Sequence, residues 1–132
     1  MKSADEAMSS LLRILLVDDD QDILDLGLNL LREAGFNVTS AVSGDVAEIL
    51  LEQGLPFDML ITDVVFPGML DGFGLARRAK QILPCIRVIY TTGFSAMVDV
   101  RSRGAPSGEI LAKPWGSADL LNRVRSAIAT EA

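Results

Sequence analysis

The chain has no histidine, one cysteine, one tryptophan and one tyrosine among its 132 residues. Without histidine there is no imidazole to ligate a metal or to act as a general base. Cys85 has no partner for an intramolecular disulfide, which fits a reduced, cytoplasmic setting. Basic residues are also scarce: 12 Lys and Arg stand against 18 Asp and Glu, a net charge of −6. That balance argues against nucleic acid as the main partner, because counterion release needs a concentrated basic face. The tightest basic groups, Arg77-Arg78-Lys80, Arg101/Arg103 and Arg123/Arg125, read as solvated helix and loop faces. Long hydrophobic runs are missing too. Arg13 interrupts the run from Leu11 to Val17, and no stretch approaches the ~20 apolar residues of a membrane span. The opening MKSADEAMSS lacks the basic-then-apolar order of a signal peptide, so no membrane insertion is expected.

What is present is a chain with 49% hydrophobic and 23% charged residues, enough for one domain around one well-buried core. Residues 1–10 read as a loose leader and 130–132 as a frayed end. Between them short apolar runs alternate with amphipathic stretches, the pattern of repeated βα units and a parallel sheet. Strands are expected over 13–17, 37–41, 59–62, 87–91 and 109–112, the second less buried because only Val38 alternates with polar neighbours. Helices are expected over 21–34, from Ser43 or Gly44 to Gly54, over 72–83 before Pro84, over a weaker 95–103, and from a capping Ser117 onward. In the last of these Leu120, Leu121, Val124 and Ile128 share one face.

Three of the apolar runs end in residues suited to a metal or a phosphoryl group. Leu15-Leu16-Val17 leads into Asp18-Asp19, Met59-Leu60-Ile61-Thr62 into Asp63, and Ile110-Leu111-Ala112 into Lys113. In a doubly wound sheet these ends meet at the edge where ligands bind. Three acids gathered there repel strongly unless a divalent cation holds them. Each residue also has a plainer reading. An Asp after a strand caps the next helix, a turn Asp needs no metal, and a lysine beside an apolar strand usually snorkels. Only one of two adjacent acids can cap, and Asp20 is the better candidate, which leaves Asp18 and Asp19 for a metal. Thr91-Thr92-Gly93 closes the fourth strand and offers a hydroxyl to a phosphoryl oxygen.

The stretches ILLVDDD, LLITDVVFPGMLDGFGLA, VIYTTGF and ILAKPW, in this spacing, resemble the response-regulator receiver domain of two-component signalling. The resemblance runs from about Leu12 to Ile128 and implies a receiver domain over residues 11–129. It also implies a flavodoxin-like α/β fold: a doubly wound five-stranded parallel sheet, strand order 2-1-3-4-5, with helices on both faces. By position Asp63 becomes the phosphoacceptor, and Asp18 and Asp19 the acid pair for Mg²⁺. The backbone carbonyl of Val65 completes the metal ligands, Lys113 is the site lysine and Thr92 the switch hydroxyl. Lys113-Pro114 resembles the family's cis peptide. The implied donor is a sensor histidine kinase or phosphotransfer protein, whose phosphohistidine passes its phosphoryl group to Asp63. The implied output is a downstream protein partner meeting the fourth helix, fifth strand and fifth helix, or a homodimer formed on phosphorylation.

The pattern departs from the family's commonest form in three places. The stretch 66–72 is one residue longer, with Leu70 before Asp71-Gly72, as in hybrid kinases and stand-alone receivers. Ile110 stands where an aromatic switch residue is common, and residues 95–108 are weakened by Gly104, Pro106 and Gly108. Val65 and Phe94, apolar where a water-positioning side chain would stand, imply slow dephosphorylation. With no output segment read after Ile128, we expect a stand-alone or excised receiver that signals through proteins and is not an enzyme. Two rivals are a haloacid-dehalogenase-like phosphatase with Asp18 as nucleophile and Asp20 as acid, and a phosphorylation-independent adaptor. The first leaves Asp63 without a task; the second leaves the whole acceptor set without one.

Overall fold

The computed structural model describes residues 12–64, 70–93 and 105–129. In β1 (Arg13–Val17) the side chains divide by parity, as a pleated strand requires. Leu15 and Val17 enter one apolar layer, Ile14 and Leu16 the other. The same division runs through β3 (Met59–Asp63) and β4 (Arg87–Thr92). Leu60, Val88 and Tyr90 join the first layer, and Met59, Ile61 and Ile89 the second. These strands are central and covered on both sides, which is why their sequences read as continuous apolar runs. β2 (Asn37–Ala41) is an edge strand with Val38 and Ala41 buried, and β5 (Glu109–Ala112) closes the other edge. All pairings are parallel, in the order β2-β1-β3-β4-β5.

Helices α1 (Gln21–Glu33) and α4 (Ser117–Ala129) cover one face through Leu24, Leu31, Leu120, Val124 and Ala127. Helices α2 (Gly44–Glu52) and α3 (Gly72–Ile82) cover the other through Ala47, Leu51, Leu75, Ala76 and Ala79. Each fully buried Leu in these layers stabilises the fold by roughly 1.5–3 kcal/mol. The expected flavodoxin-like doubly wound fold is the observed one.

Helix starts follow short side chains that accept from free N–H groups. Asp20 accepts from Asp22 N and Ile23 N, Ser43 from Val46 N, and Asp71 from Gly74 N. Gly35, at φ 98°, takes the left-handed turn that ends α1. Ser117 is not a cap, as the sequence pattern suggests, but the first residue of α4. Leu120 N already bonds to Gly116 O, and Asp119 reaches back to accept from Gly116 N at 3.2 Å. β3 and β4 each run one residue beyond expectation, because the parallel ladder pairs Asp63 with Thr91 and Thr92 with Ala112. The expected helix over 95–103, the leader 1–10 and the end 130–132 lie outside the described residues.

Candidate functional site

At the carboxyl edge of the sheet the chain reverses out of β1 through Asp18. Its main-chain N–H donates to Ala41 O at 3.2 Å, and its Oδ1 accepts from Asp20 N at 2.9 Å. Because Asp20 caps α1 with its own carboxylate, Asp18 remains aimed along the strand end, buried to 3% exposure, while Asp19 is exposed. Asp63, the last residue of β3, is also buried. Lys113 leaves β5 with its N–H on Thr92 O at 2.8 Å and its peptide to Pro114 cis. Its Nζ donates to Asp18 Oδ2 at 2.8 Å and to Asp63 Oδ2 at 3.0 Å. Carboxylate oxygens of Asp18, Asp19 and Asp63 lie within 4.8 Å of one another.

One ammonium, bonded to two of them, thus stands among three carboxylates. Repulsion between the buried Asp18 and Asp63 is on the order of 3 kcal/mol at an effective dielectric near 20. Burial pushes the Asp63 carboxyl above its ordinary pKa. Lys113 pulls it back through a hydrogen bond and its charge, and Asp18 adds a smaller upward push. On Lys113 burial is the largest single influence and acts downward. The hydrogen bonds and charges of Asp18 and Asp63 together outweigh it and hold the ammonium above the usual lysine range. The cluster is therefore short of positive charge. An all-oxygen donor set of this kind fits a hard divalent cation such as Mg²⁺.

Of the other residues singled out in the sequence, Thr92 is buried at the end of β4, with its hydroxyl donating to Gly93 O at 3.1 Å. Ile110 is half-buried on β5, paired with Tyr90 rather than with the acids. Val65 and Phe94 lie outside the described residues.

Two positions escaped the sequence reading. Tyr90 is fully buried, packs against Phe73 with ring centroids 5.7 Å apart, and donates its hydroxyl to Pro106 O at 2.7 Å. Burial pushes its phenol up to about 12, against a smaller opposite pull from Arg77. Gly72 lies directly behind the site. Its N–H donates to Val64 O at 2.9 Å, and any Cβ there would collide with the carbonyl of Asp63. The extra residue in 66–72 was visible in sequence; the need for a bare backbone at 72 was not.

The response regulator receiver domain family matches residues 14–125, and the chain belongs to that family. It is 39% identical over 113 residues to the response regulator receiver protein CpdR of Brucella abortus (strain 2308), covering 85% of this chain and 92% of that one. It is equally identical to the transcriptional regulatory protein GltR of Pseudomonas aeruginosa, over 86% of this chain but only 47% of GltR. The crystal structure of a response regulator receiver protein from Sinorhizobium medicae WSM419 superposes with a TM-score of 0.83. That pair shares 35% identity, over 90% of this chain and 95% of the other. The chain is thus a receiver domain of two-component signalling, a family of signalling domains rather than conventional enzymes. Among the described residues no helix is long and apolar enough to cross a membrane.

Proposed function

We propose that Asp63 accepts a phosphoryl group from the phosphohistidine of a sensor histidine kinase or phosphotransfer protein, in a Mg²⁺-dependent reaction within a cytoplasmic receiver unit over residues 11–129. The observation that carries this reading is the Lys113 ammonium bridging Asp18 and Asp63 inside a cluster of three carboxylates. Asp18, Asp19, Asp63 and the carbonyl of Val65 would hold the metal, which supplies positive charge for the incoming phosphoryl oxygens. An Asp63 oxygen attacks phosphorus in line, the P–N bond to the donor imidazole breaks, and that nitrogen keeps the electron pair. Lys113 and the Thr92 hydroxyl hold oxygens of the resulting acyl phosphate. The haloacid-dehalogenase-like alternative loses support on geometry. Asp18 has both oxygens engaged, and the Asp20 carboxylate is committed to capping α1.

Output in this reading is a change of protein-binding surface. A groove of about 540 Å³ between β5 and α4, lined by Leu111, Ala112, Asn122 and Arg123 among others, offers room for a downstream protein or a second copy. Incubation with acetyl phosphate and Mg²⁺, followed by intact mass, tests the acceptor directly. One phosphoryl group should be gained, and none by Asp63→Asn or in the presence of EDTA. An Asp63→Asn protein that still gains a stable acyl phosphate would remove the assignment, and catalytic phosphate release through Asp18 would favour the phosphatase.

A further inference from the structure

Gly27 stands buried in the middle of α1, where helix propensity favours alanine. A methyl group there would press on Leu16 and only touch Trp115. A Cβ would meet Leu16 Cδ2 at 3.0 Å and the indole of Trp115 at 3.6 and 3.8 Å. The edge of the indole therefore lies over α1 at Gly27, at van der Waals distance from where a Cβ would stand. Trp115 is half-buried on the α1/α4 side of the core, two residues after Lys113. Lys113 contributes to the same apolar cleft of about 310 Å³, together with Ile23, Leu26, Pro114 and Trp115. Leu16, the other neighbour of that position, lies two residues before Asp18.

A lysine stem has four rotatable carbon–carbon links and, in water, samples many of their states. Here the ammonium must stay within hydrogen-bond reach of two carboxylates at the ends of different strands. The loop bearing it is fixed on one side by Lys113 N–H on Thr92 O. On the other side Trp115 lies against α1, over Gly27 and beside Ile23 and Leu26 in the shared cleft. We propose that Trp115, seated on Gly27, is a positioning residue that holds the Lys113 ammonium between Asp18 and Asp63. The role rests on the phosphoacceptor reading for its consequence, though not for its geometry.

Intact-mass time courses with acetyl phosphate and Mg²⁺ should show Trp115→Ala slowed roughly tenfold, the scale of a modest misplacement of a reacting group. Mg²⁺ affinity by calorimetry should change less than about twofold, since the lysine is not a metal ligand. Trp115→Phe should restore most of the rate. In a Lys113→Ala background, Trp115→Ala should have no further effect. An equal slowing in that background, or loss of Mg²⁺ binding in step with the rate, would overturn the proposal. Nitrogen-detected NMR of the Lys113 ammonium supplies a readout independent of phosphorylation. A slowly exchanging signal in the native protein should broaden in Trp115→Ala and return in Trp115→Phe, and a signal unchanged in Trp115→Ala overturns the role. Native protein that takes up no phosphoryl group while the ammonium still responds would instead overturn the phosphoacceptor reading alone.

Discussion

The two ends of β1 and β3 carry the same kind of ion pair in opposite settings. At the amino end Arg13 Nε meets Asp58 Oδ2 at 3.3 Å, with side chains 44% and 33% exposed. At the carboxyl end Lys113 meets Asp18 and Asp63 at 2.8 and 3.0 Å, with the carboxylates only 4% and 12% exposed. The first pair is one-to-one, and Asp58 also accepts from Arg13 N, so it fastens a strand start. The second sets one cation against several anions in a place where water cannot screen them. Its geometry is poor for stability and well suited to receiving added positive charge. Distance alone does not separate the two ends; burial and charge balance do.

Removing each cation sharpens the contrast. Lys113→Ala leaves two buried carboxylates facing each other and should destabilise the metal-free protein by about 3 kcal/mol, read from urea midpoints. Mg²⁺ should recover much of that loss. In the native protein, Mg²⁺ at about 100 times its dissociation constant should add ~2.7 kcal/mol, because it binds only the folded state. A thermal midpoint unmoved by Mg²⁺ would remove the claim that this end is short of positive charge. Gly72→Ala should cost about 2 kcal/mol by forcing a methyl group into the backbone at Asp63 and Val64, and it should disturb the site as well as the fold.

The pH dependence has a definite sign. Burial raises Asp63 in the folded chain, so its contribution to stability is fully present below the unfolded pKa and is lost as pH rises through the folded one. In EDTA, native protein should therefore gain stability relative to Asp63→Asn as pH falls from neutral toward the ordinary carboxylate range. At neutral pH Asp63→Asn should be the more stable of the two. A difference curve that is flat, or slopes the other way, would show that Lys113 outweighs burial at Asp63. The smallest effect belongs to the amino end. Arg13→Met keeps the main-chain bond to Asp58 and should cost less than about 1 kcal/mol, with phosphoryl uptake unchanged.

Much of this fold was readable because it is set by local pattern. Central strands covered on both faces must be apolar throughout, so ILLV, MLI and VIY announce themselves. Asp20, Ser43 and Asp71 cap with partners two or three residues away. Strand ends were read one residue short because a polar side chain looks like a terminus, while the parallel ladder continues through the backbone of Asp63 and Thr92. Tyr90 looked like any core residue of an apolar run. What sets it apart is a carbonyl 16 residues on, brought to its hydroxyl by the return of the chain into β5.

The sequence by itself determined that acids and a lysine follow buried strands, since each such residue is marked by the apolar run before it. Only the tertiary structure decided which of them share a charge. Lys113 lies 95 residues from Asp18 and 50 from Asp63, and no periodicity links them. Their meeting depends on β3 lying between β1 and β4, and on β5 pairing with β4. The same holds for the spaces at Gly27 and Gly72, which in sequence are ordinary helix glycines. Coulomb and contact energies depend on separations that strand order and helix packing set, and those separations exist only once the layers have closed.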